Sequence, residues 1–271
     1  NPGLIYVKIT GFGDTGPYAN KPAFDQVIQG LVGFMPVQGE GGQPKAIMNY
    51  VVDKITGIWT ANATLAALVH RERTGEGQRV SCNLLNSFAA FLLPDMLTDY
   101  TFLSAAATTT APPYSHFRSH ETADGRVIGL ALLNPQFQGL CDALERPDIK
   151  ADPRFADPGS RMANLDALYD ALAPSFKKLS NAEFLARAAK AGAPFSPVND
   201  LKAFFADPQV LHNQTCVEFE DCELGRVRHI NHPARYERTP VDVRSRAPRL
   251  GEHTEELSAQ LDLFKDARQA T

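Results

Sequence analysis

The chain has 271 residues, of which 44% are hydrophobic and 21% charged, and its formal net charge at neutral pH is −4. This composition is typical of a globular protein, and its lack of basic excess argues against nucleic acid as a partner. No apolar run reaches the roughly 20 residues that a membrane span needs, so we expect no membrane association.

The first hundred residues show alternating strand and helix patterns. The predicted elements are, in chain order, a strand over Leu4–Thr10, helices over Phe24–Phe34 and from Asp53 to about Arg73, a strand over Gln78–Asn83, and a helix over Leu84–Leu103. Gly75 is the expected stop of the long helix, and Pro94 is expected to kink or break the last one. Asn1-Pro2-Gly3 leads straight into the first strand without a methionine, which indicates a position inside a longer protein.

Residues 104–113 contain only Ser, Ala, Thr and Pro and are a candidate linker. Beyond it, the predicted elements are a strand over Arg126–Leu133, helices over Pro135–Glu145, Asn164–Lys177 and Ala182–Ala191, a short helix capped by Asn199, strands over Thr215–Glu220 and Gly225–Ile230, and a closing helix over Thr254–Phe264. Ser180 and Glu183 fit a capping box. This alternation predicts an α/β or α+β protein of two domains.

The four cysteines are Cys82, Cys141, Cys216 and Cys222, and they form no C-x-x-C pair. Their spacing suits no zinc site, so we predict no bound metal. Reduced thiols and a cytoplasmic location are the expectation for such a set.

The run from Gly11 to Gly16 fits the pattern G-x-G-x-x-G after a strand. A dinucleotide site needs a helix that opens at the third glycine, and Pro17 and Pro22 disfavour one. The alternatives are a tight turn that needs positive φ, or a loop whose bare backbone lets a substrate approach closely.

Asp53 is a lone acid beside apolar residues at the start of the long predicted helix. It is either a helix cap or a reactive carboxylate. The apolar Val51 and Val52 suggest that its side chain faces inward, and Gly57, one turn later, leaves space beside it. Asp25 is a second candidate acid, with a simple helix-start role as the alternative. The scattered histidines are more typical of surface or structural positions.

Together these residues resemble the family III CoA-transferases, the group that includes carnitine CoA-transferase, formyl-CoA transferase and α-methylacyl-CoA racemase. The resemblance is carried, in order along the chain, by Gly11-Phe12-Gly13 with Thr15-Gly16-Pro17-Tyr18, Phe24-Asp25, Asp53 with Thr56-Gly57, Arg71-Glu72-Arg73-Thr74-Gly75-Glu76-Gly77-Gln78, Thr122-Ala123-Asp124-Gly125, Arg146-Pro147-Asp148, Asp152-Pro153-Arg154-Phe155, Ala206-Asp207-Pro208-Gln209-Val210 and Arg249-Leu250-Gly251-Glu252-His253-Thr254.

The resemblance implies an α/β fold with a Rossmann-like large domain, incomplete in this chain, and a small α+β domain, in an interlocked homodimer. The large domain would comprise residues 1–108 and the small domain 109–205, with 206–271 returning to the large domain. Family members carry a further Rossmann-like region before the point that matches Asn1, and it holds most contacts to the CoA nucleotide. We therefore expect this chain alone to bind CoA weakly or not at all.

The resemblance also implies that Asp53 is the nucleophile of an acyl-CoA:carboxylate CoA-transferase, acting through an aspartyl anhydride and an aspartyl-CoA thioester. The substrates would be an acyl-CoA and a small carboxylic acid, with no permanently bound cofactor. Backbone N–H groups at the helix N-terminus and in the glycine-rich turn could stabilise the oxyanions. The residues expected to line the site are Phe24, Asp25, Gly11, Phe12, Gly13, Gly57, Tyr114 and His116.

Two departures from the family pattern narrow the expected reaction. Racemases of the family pair the aspartate with a histidine, and Phe24 stands in its place, so racemisation or isomerisation of 2-methylacyl-CoA esters is the weaker alternative. Formyl-CoA transferase-like members carry a run of glycines where this chain has residues 111–116, which argues against oxalate as acceptor. A non-catalytic family member is the third possibility.

Overall fold

The structure is a computed structural model that describes residues 1–39, 43–97, 100, 101, 103, 117–241 and 246–269. The chain divides into two compact units, Asn1–Phe117 and Arg118–Thr271. The predicted large-domain, small-domain and C-terminal ranges stay a prediction.

Unit 1 is built around a parallel pair of strands. Its elements are β1 (Tyr6–Thr10), α1 (Asp25–Leu31), α2 (Met35–Gln38), α3 (Val51–Thr74), β2 (Arg79–Asn83) and α4 (Leu84–Met96). β1 and β2 pair in parallel, and the chain between them passes through α1, α2 and α3. This is a β-α-β connection, the basic unit of α/β folds.

α3 is the longest helix of unit 1, with 24 residues. Gly75 follows it in the left-handed conformation with φ of 79°, and its N–H donates to the Arg71 carbonyl at 2.7 Å, so the predicted stop is confirmed. The helix begins at Val51, two residues before the predicted start at Asp53. Its buried face contributes Val52 and Ile55 to a small core with Ile28 and Phe88.

A second face of α3 carries partly exposed apolar side chains. Ile58, Leu65 and Val69 are between 51% and 65% exposed. Their positions follow helical spacing, so the three side chains form one exposed apolar stripe. No helix among the described residues has both the length and the apolar character that a bilayer crossing requires.

Unit 2 contains two antiparallel sheets and most of the helices. Its elements are β3 (Ser119–Glu121), β4 (Arg126–Gly129), α5 (Asn134–Ala143), α6 (Pro147–Lys150), a 3-10 turn (Pro153–Phe155), α7 (Pro158–Ala163), α8 (Leu165–Phe176), α9 (Asn181–Lys190), β5 (Phe195–Pro197), α10 (Leu201–Ala206), α11 (Pro208–His212), β6 (Cys216–Asp221), β7 (Gly225–Ile230) and α12 (Thr254–Gln269). The sheet order is β3-β4-β5 in one sheet, and β6 and β7 form a hairpin.

The core of unit 2 packs α5, α8 and α9 against the three-stranded sheet, with Phe137, Phe155, Phe176 and Phe184 almost fully buried. Arg161 is buried among them. Its guanidinium donates to the carbonyls of three residues, Leu132, Phe155 and Ala156, at 2.6–3.0 Å, so its buried N–H groups are paired.

The mixture of strands and helices confirms the coarse α/β class, and most predicted elements are present. The Ser180–Glu183 capping box is confirmed at the start of α9. The predicted helix over Leu84–Leu103 is too long, because α4 includes Pro94 but ends at Met96. The predicted strand over Arg126–Leu133 is also too long, since β4 ends at Gly129. The cap of α10 is Asp200, which accepts the Ala203 N–H at 2.7 Å, so the prediction of Asn199 is wrong.

Candidate active site

The N-terminus of α3 lies at the carboxyl edge of the parallel strand pair. α3 leads into β2 and runs antiparallel to the strands, because its C-terminal end lies at their amino ends, where the Gly77 N–H donates to the Pro2 carbonyl at 2.7 Å. The N-terminal end of α3, which carries Asp53, therefore lies at the carboxyl edge of the strands, where β1 ends and Gly11 follows. Ligand sites of open α/β sheets lie at this edge.

Asp53 is the third residue of α3, and its side chain is exposed. Within the part of the chain that the structure describes, its carboxylate makes no hydrogen bond or ion pair. The prediction that it faces inward is wrong, because the inward positions of this turn belong to Val52 and to Ile55. Asp53 is not the helix cap either, since Tyr50 holds the cap position without a side-chain hydrogen bond. What remains is an accessible, unpaired carboxylate.

The cap of α3 comes instead from Asp25, the first residue of α1. Its Oδ2 accepts the N–H of Val52 at 2.8 Å and the N–H of Asp53 at 3.2 Å. Asp25 is only 2% exposed. Asp25, which we expected to line the site, therefore lies next to the backbone of Asp53. The two helix N–H groups that we expected to stabilise an oxyanion are already occupied by this carboxylate.

Gln29, one turn after Asp25 on α1, is fully buried and holds the cap in place. Its Nε2 donates to Asp25 Oδ1 at 2.6 Å. Its Oε1 accepts the Ile47 N–H at 2.8 Å, and its Nε2 also lies 3.3 Å and 3.4 Å from the carbonyls of Ile47 and Asn49. Gln29 thus ties α1 to the segment that enters α3. No sequence pattern singled out Gln29, whose one sequence signal is the i, i+4 spacing from Asp25.

The loop after β1 shows why glycine is needed at two positions. A Cβ on Gly11 would lie 2.2 Å from the Ala23 Cβ, too close for two non-bonded carbons, so position 11 has no room for a side chain. Gly13 has φ of 112°, a conformation that side chains rarely adopt. The run is therefore a tight turn, and no helix opens at Gly16, which excludes the dinucleotide alternative. Phe12 packs against the core that contains Val52.

Asp14, in the same loop, joins it to both strands. Its carboxylate contacts Lys8 Nζ at 2.6 Å, Ser81 Oγ at 3.0 Å and an Arg79 guanidinium nitrogen at 2.5 Å. Hydrogen bonds from Lys8 and Ser81 hold the pKa of the Asp14 carboxyl below its usual value. No sequence pattern indicates this cluster, since β2 follows 65 residues after Asp14.

The remaining predicted site residues differ in how the structure places them. Phe24 precedes Asp25 directly and is 72% exposed. A Cβ on Gly57 would meet no atom within 4 Å, so the predicted space one turn after Asp53 is present. Tyr114 and His116 lie outside the described residues. Among the residues that the structure describes, no three His, Cys, Asp or Glu side chains cluster in a way that could hold a metal ion.

Comparison with known proteins identifies the family of this chain. The family model of CoA-transferase family III matches residues 1–254. The chain belongs to CoA-transferase family III. It is 32% identical to a succinate–glutarate CoA-transferase of Agrobacterium fabrum over 98% of this chain and 67% of that protein. It is 28% identical to the human succinyl-CoA:glutarate CoA-transferase, again over 98% of this chain but only 61% of the relative. The chain thus spans about two thirds of the length of these family members.

Solved structures of the family share the fold. A CaiB/BaiF family protein from Brucella suis superposes with a TM-score of 0.80 at 32% identity, over 96% of this chain and 68% of that one. Rv3272 from Mycobacterium tuberculosis superposes with a TM-score of 0.81 at 26% identity, over 93% of this chain and 68% of that one.

Proposed function

We propose that this family III member is an acyl-CoA:carboxylate CoA-transferase and that Asp53 is its nucleophile. The observation that carries the proposal is the contrast at the start of α3, where Asp53 is exposed and unpaired while Asp25 is buried and fully engaged. An accessible carboxylate on a fixed backbone is what nucleophilic catalysis requires. The CoA-transferase names of the relatives support the reaction class.

The first half of the reaction loads CoA onto the protein. An Asp53 carboxylate oxygen attacks the thioester carbonyl carbon of the donor, the carbon–sulfur bond breaks, and CoA leaves as a thiolate. The thiolate then attacks the Asp53 carbonyl of the mixed anhydride, which releases the donor acid and leaves CoA as an aspartyl thioester. The acceptor carboxylate takes up CoA through the reverse steps. No oxidant or net proton is consumed, and Asp53 is regenerated as a carboxylate.

Each tetrahedral intermediate carries an oxyanion that needs hydrogen-bond donors. Asp25 occupies the N–H groups of Val52 and Asp53, and Thr10 Oγ1 accepts the N–H of Gly13 at 3.0 Å. The proposal therefore assigns this task to the backbone N–H groups of Gly11 and Phe12 at the same edge. The open space at Gly57 would receive substrate atoms. Phe24 cannot carry a proton, which favours CoA transfer over racemisation.

The substrates that we propose are short dicarboxylic acids and their CoA thioesters. The relatives are named for succinate, glutarate and mesaconate, which share a second carboxylate beyond the one that reacts. CoA enters and leaves as part of the substrate, so no permanently bound cofactor is proposed.

We also infer that the protein works as a homodimer. The exposed apolar stripe of α3 supports an interface, since contiguous apolar surface of this kind marks association sites.

The test is CoA transfer from succinyl-CoA to glutarate, followed by chromatography of the CoA esters. Asp53→Asn keeps the size of the side chain but removes the nucleophile, so we expect activity to fall by at least about a thousandfold. The matched control is Asp166→Asn, because Asp166 is also an exposed acid in the first turn of a helix, in unit 2. Full activity of Asp53→Asn would refute the proposed nucleophile.

A further inference from the structure

The first turn of α3 has no cap from its own segment. An α-helix leaves its first N–H groups without partners inside the helix, and a side chain at the N-cap usually accepts one of them. Here Tyr50 occupies that position and contributes no side-chain hydrogen bond. The N–H groups of Val52 and Asp53 would otherwise be unpaired next to a buried core.

Asp25 supplies the missing acceptor from another helix. It precedes Val52 by 27 residues, yet its Oδ2 lies within hydrogen-bond distance of both N–H groups. A carboxylate at this position also complements the positive end of the helix dipole. Because Asp25 is buried at 2% exposure, water competes little for these bonds.

Gln29 fixes the orientation of the Asp25 carboxylate. The 2.6 Å bond from its Nε2 to Oδ1 leaves Oδ2 directed at α3. The same amide accepts the Ile47 N–H at 2.8 Å, so the chain just before α3 is held by the same side chain. Two side chains one turn apart on α1 thus determine where the Asp53 backbone lies.

We propose that Asp25, oriented by Gln29, is the positioning residue for the Asp53 nucleophile. Asp25 does not touch the substrate; it prevents the first turn of α3 from fraying and so fixes the point from which the Asp53 side chain projects. This inference rests on the proposed function of Asp53. A nucleophile displaced by about 1 Å loses on the order of a hundredfold in rate, so a small relaxation of this helix end matters for catalysis.

A buried acid near a reactive group can either bind the substrate or position the reacting residue. If Asp25 bound substrate, its loss would weaken substrate binding and raise KM. As a positioning residue, it acts on the chemical step, and its loss lowers kcat while KM changes little. The Asp25→Asn variant keeps the shape of the side chain but leaves one acceptor oxygen for three donors, which are Gln29 Nε2 and the N–H groups of Val52 and Asp53.

The experiment measures kcat and KM of the full chain with succinyl-CoA and glutarate for the wild type, Asp25→Asn, Gln29→Met and Asp53→Asn, each checked for folding by circular dichroism. We expect Asp25→Asn to lower kcat by about 10- to 100-fold with KM changed less than about threefold. Gln29→Met keeps the Asp25 carboxylate but removes the group that orients it, so we expect a smaller loss of kcat.

Unchanged kcat in a folded Asp25→Asn variant, or a loss expressed mainly in KM, would overturn the inference. If Asp25→Asn does not fold, Gln29→Met decides by the same criterion. The Asp53→Asn variant separates the nucleophile role of Asp53 from the positioning role of Asp25. An inactive Asp53→Asn together with an unaffected Asp25→Asn refutes only the positioning role, whereas an active Asp53→Asn refutes the nucleophile and the positioning role with it.

Discussion

Asp25 and Asp53 are two carboxylates at one helix end with opposite surroundings. Asp25 is buried and accepts bonds from Gln29, Val52 and Asp53, whereas the Asp53 side chain is exposed and contacts no charged partner in the described chain. Burial without partners is costly for a carboxylate, so the buried one must be the bonded one. These surroundings make Asp25 the capping acid and support the proposal that Asp53 is the reacting acid.

Gly57 allows the substrate role of Asp53 to be tested without changing Asp53. It lies one turn later in α3, where alanine adds a methyl group that meets no atom within 4 Å. Alanine favours helix over glycine by about 0.5–1 kcal/mol, so Gly57→Ala should raise the free energy of unfolding by about that amount. If substrate atoms occupy this space, kcat/KM falls by about tenfold in the same variant.

The two measurements are thermal unfolding and the CoA-transfer assay. Gly11→Ala is the contrasting variant, because its methyl group would clash with Ala23, and it should be destabilised. A stabilised Gly57→Ala protein with wild-type kcat/KM would show that substrate does not use the space beside Asp53.

At the scale of single elements, α3, β1 and β2 were predictable because their residues carry the signal locally. The apolar pattern and Gly75 define α3, and the β-rich run before Asn83 defines β2. The start of α3 was not predictable, because its cap is a tertiary contact from Asp25. The sequence therefore left a cap role open for Asp53, whereas the structure gives that role to Asp25. The three-residue strands β3 and β5 were not predicted for a similar reason. Each is defined by its hydrogen bonds to β4 and not by a pattern of its own residues.

β3 carries a buried histidine that gives unit 2 a predictable pH dependence. His120 stacks on Phe176 with ring centroids 4.4 Å apart, and its buried Nε2 has no partner among the described residues. Burial, with smaller contributions from the charges of Arg126 and Arg118, lowers the pKa of His120 from 6.5 to about 4. The folded state thus disfavours the charged imidazole.

The stability that depends on neutral His120 is fully present above pH 6.5 and is lost as the pH falls towards 4, because only the unfolded chain binds the proton in that interval. The loss amounts to about 3 kcal/mol at most. Denaturant unfolding between pH 7 and 4 should show this slope, and His120→Phe should reduce it. His212→Gln, at an exposed position of α11, is the control that should leave it unchanged. An identical slope in His120→Phe would contradict the assignment.

For the whole molecule, the exposed apolar stripe of α3 is a candidate surface for association. Burying its three large side chains against a second copy would remove apolar area from water, with about 25 cal/mol gained per Å². We expect sedimentation equilibrium to give twice the mass of one chain, and Leu65→Glu to shift the protein towards the monomer while its far-ultraviolet circular dichroism stays the same. A monomeric wild type at micromolar concentration would contradict the homodimer.

The family could be predicted from the sequence because short motifs recur in a fixed order along the chain. The role of Asp53 as nucleophile stays a prediction. The Asp25–Gln29 contacts could not be predicted, because they depend on how α1 packs against the segment before α3. A sequence pattern can indicate Asp53 as a candidate nucleophile. The contacts that hold its backbone in place are visible only in the packed structure.

The most direct test of the central claim is to trap CoA on Asp53. The full protein is incubated with succinyl-CoA alone and treated with hydroxylamine, which converts an aspartyl thioester to a hydroxamate, and its peptides are analysed by mass spectrometry. The predicted result is a hydroxamate on Asp53 that is absent without succinyl-CoA and absent in Asp53→Asn. Active protein with an unmodified Asp53, or with the hydroxamate on another carboxylate, would contradict the claim.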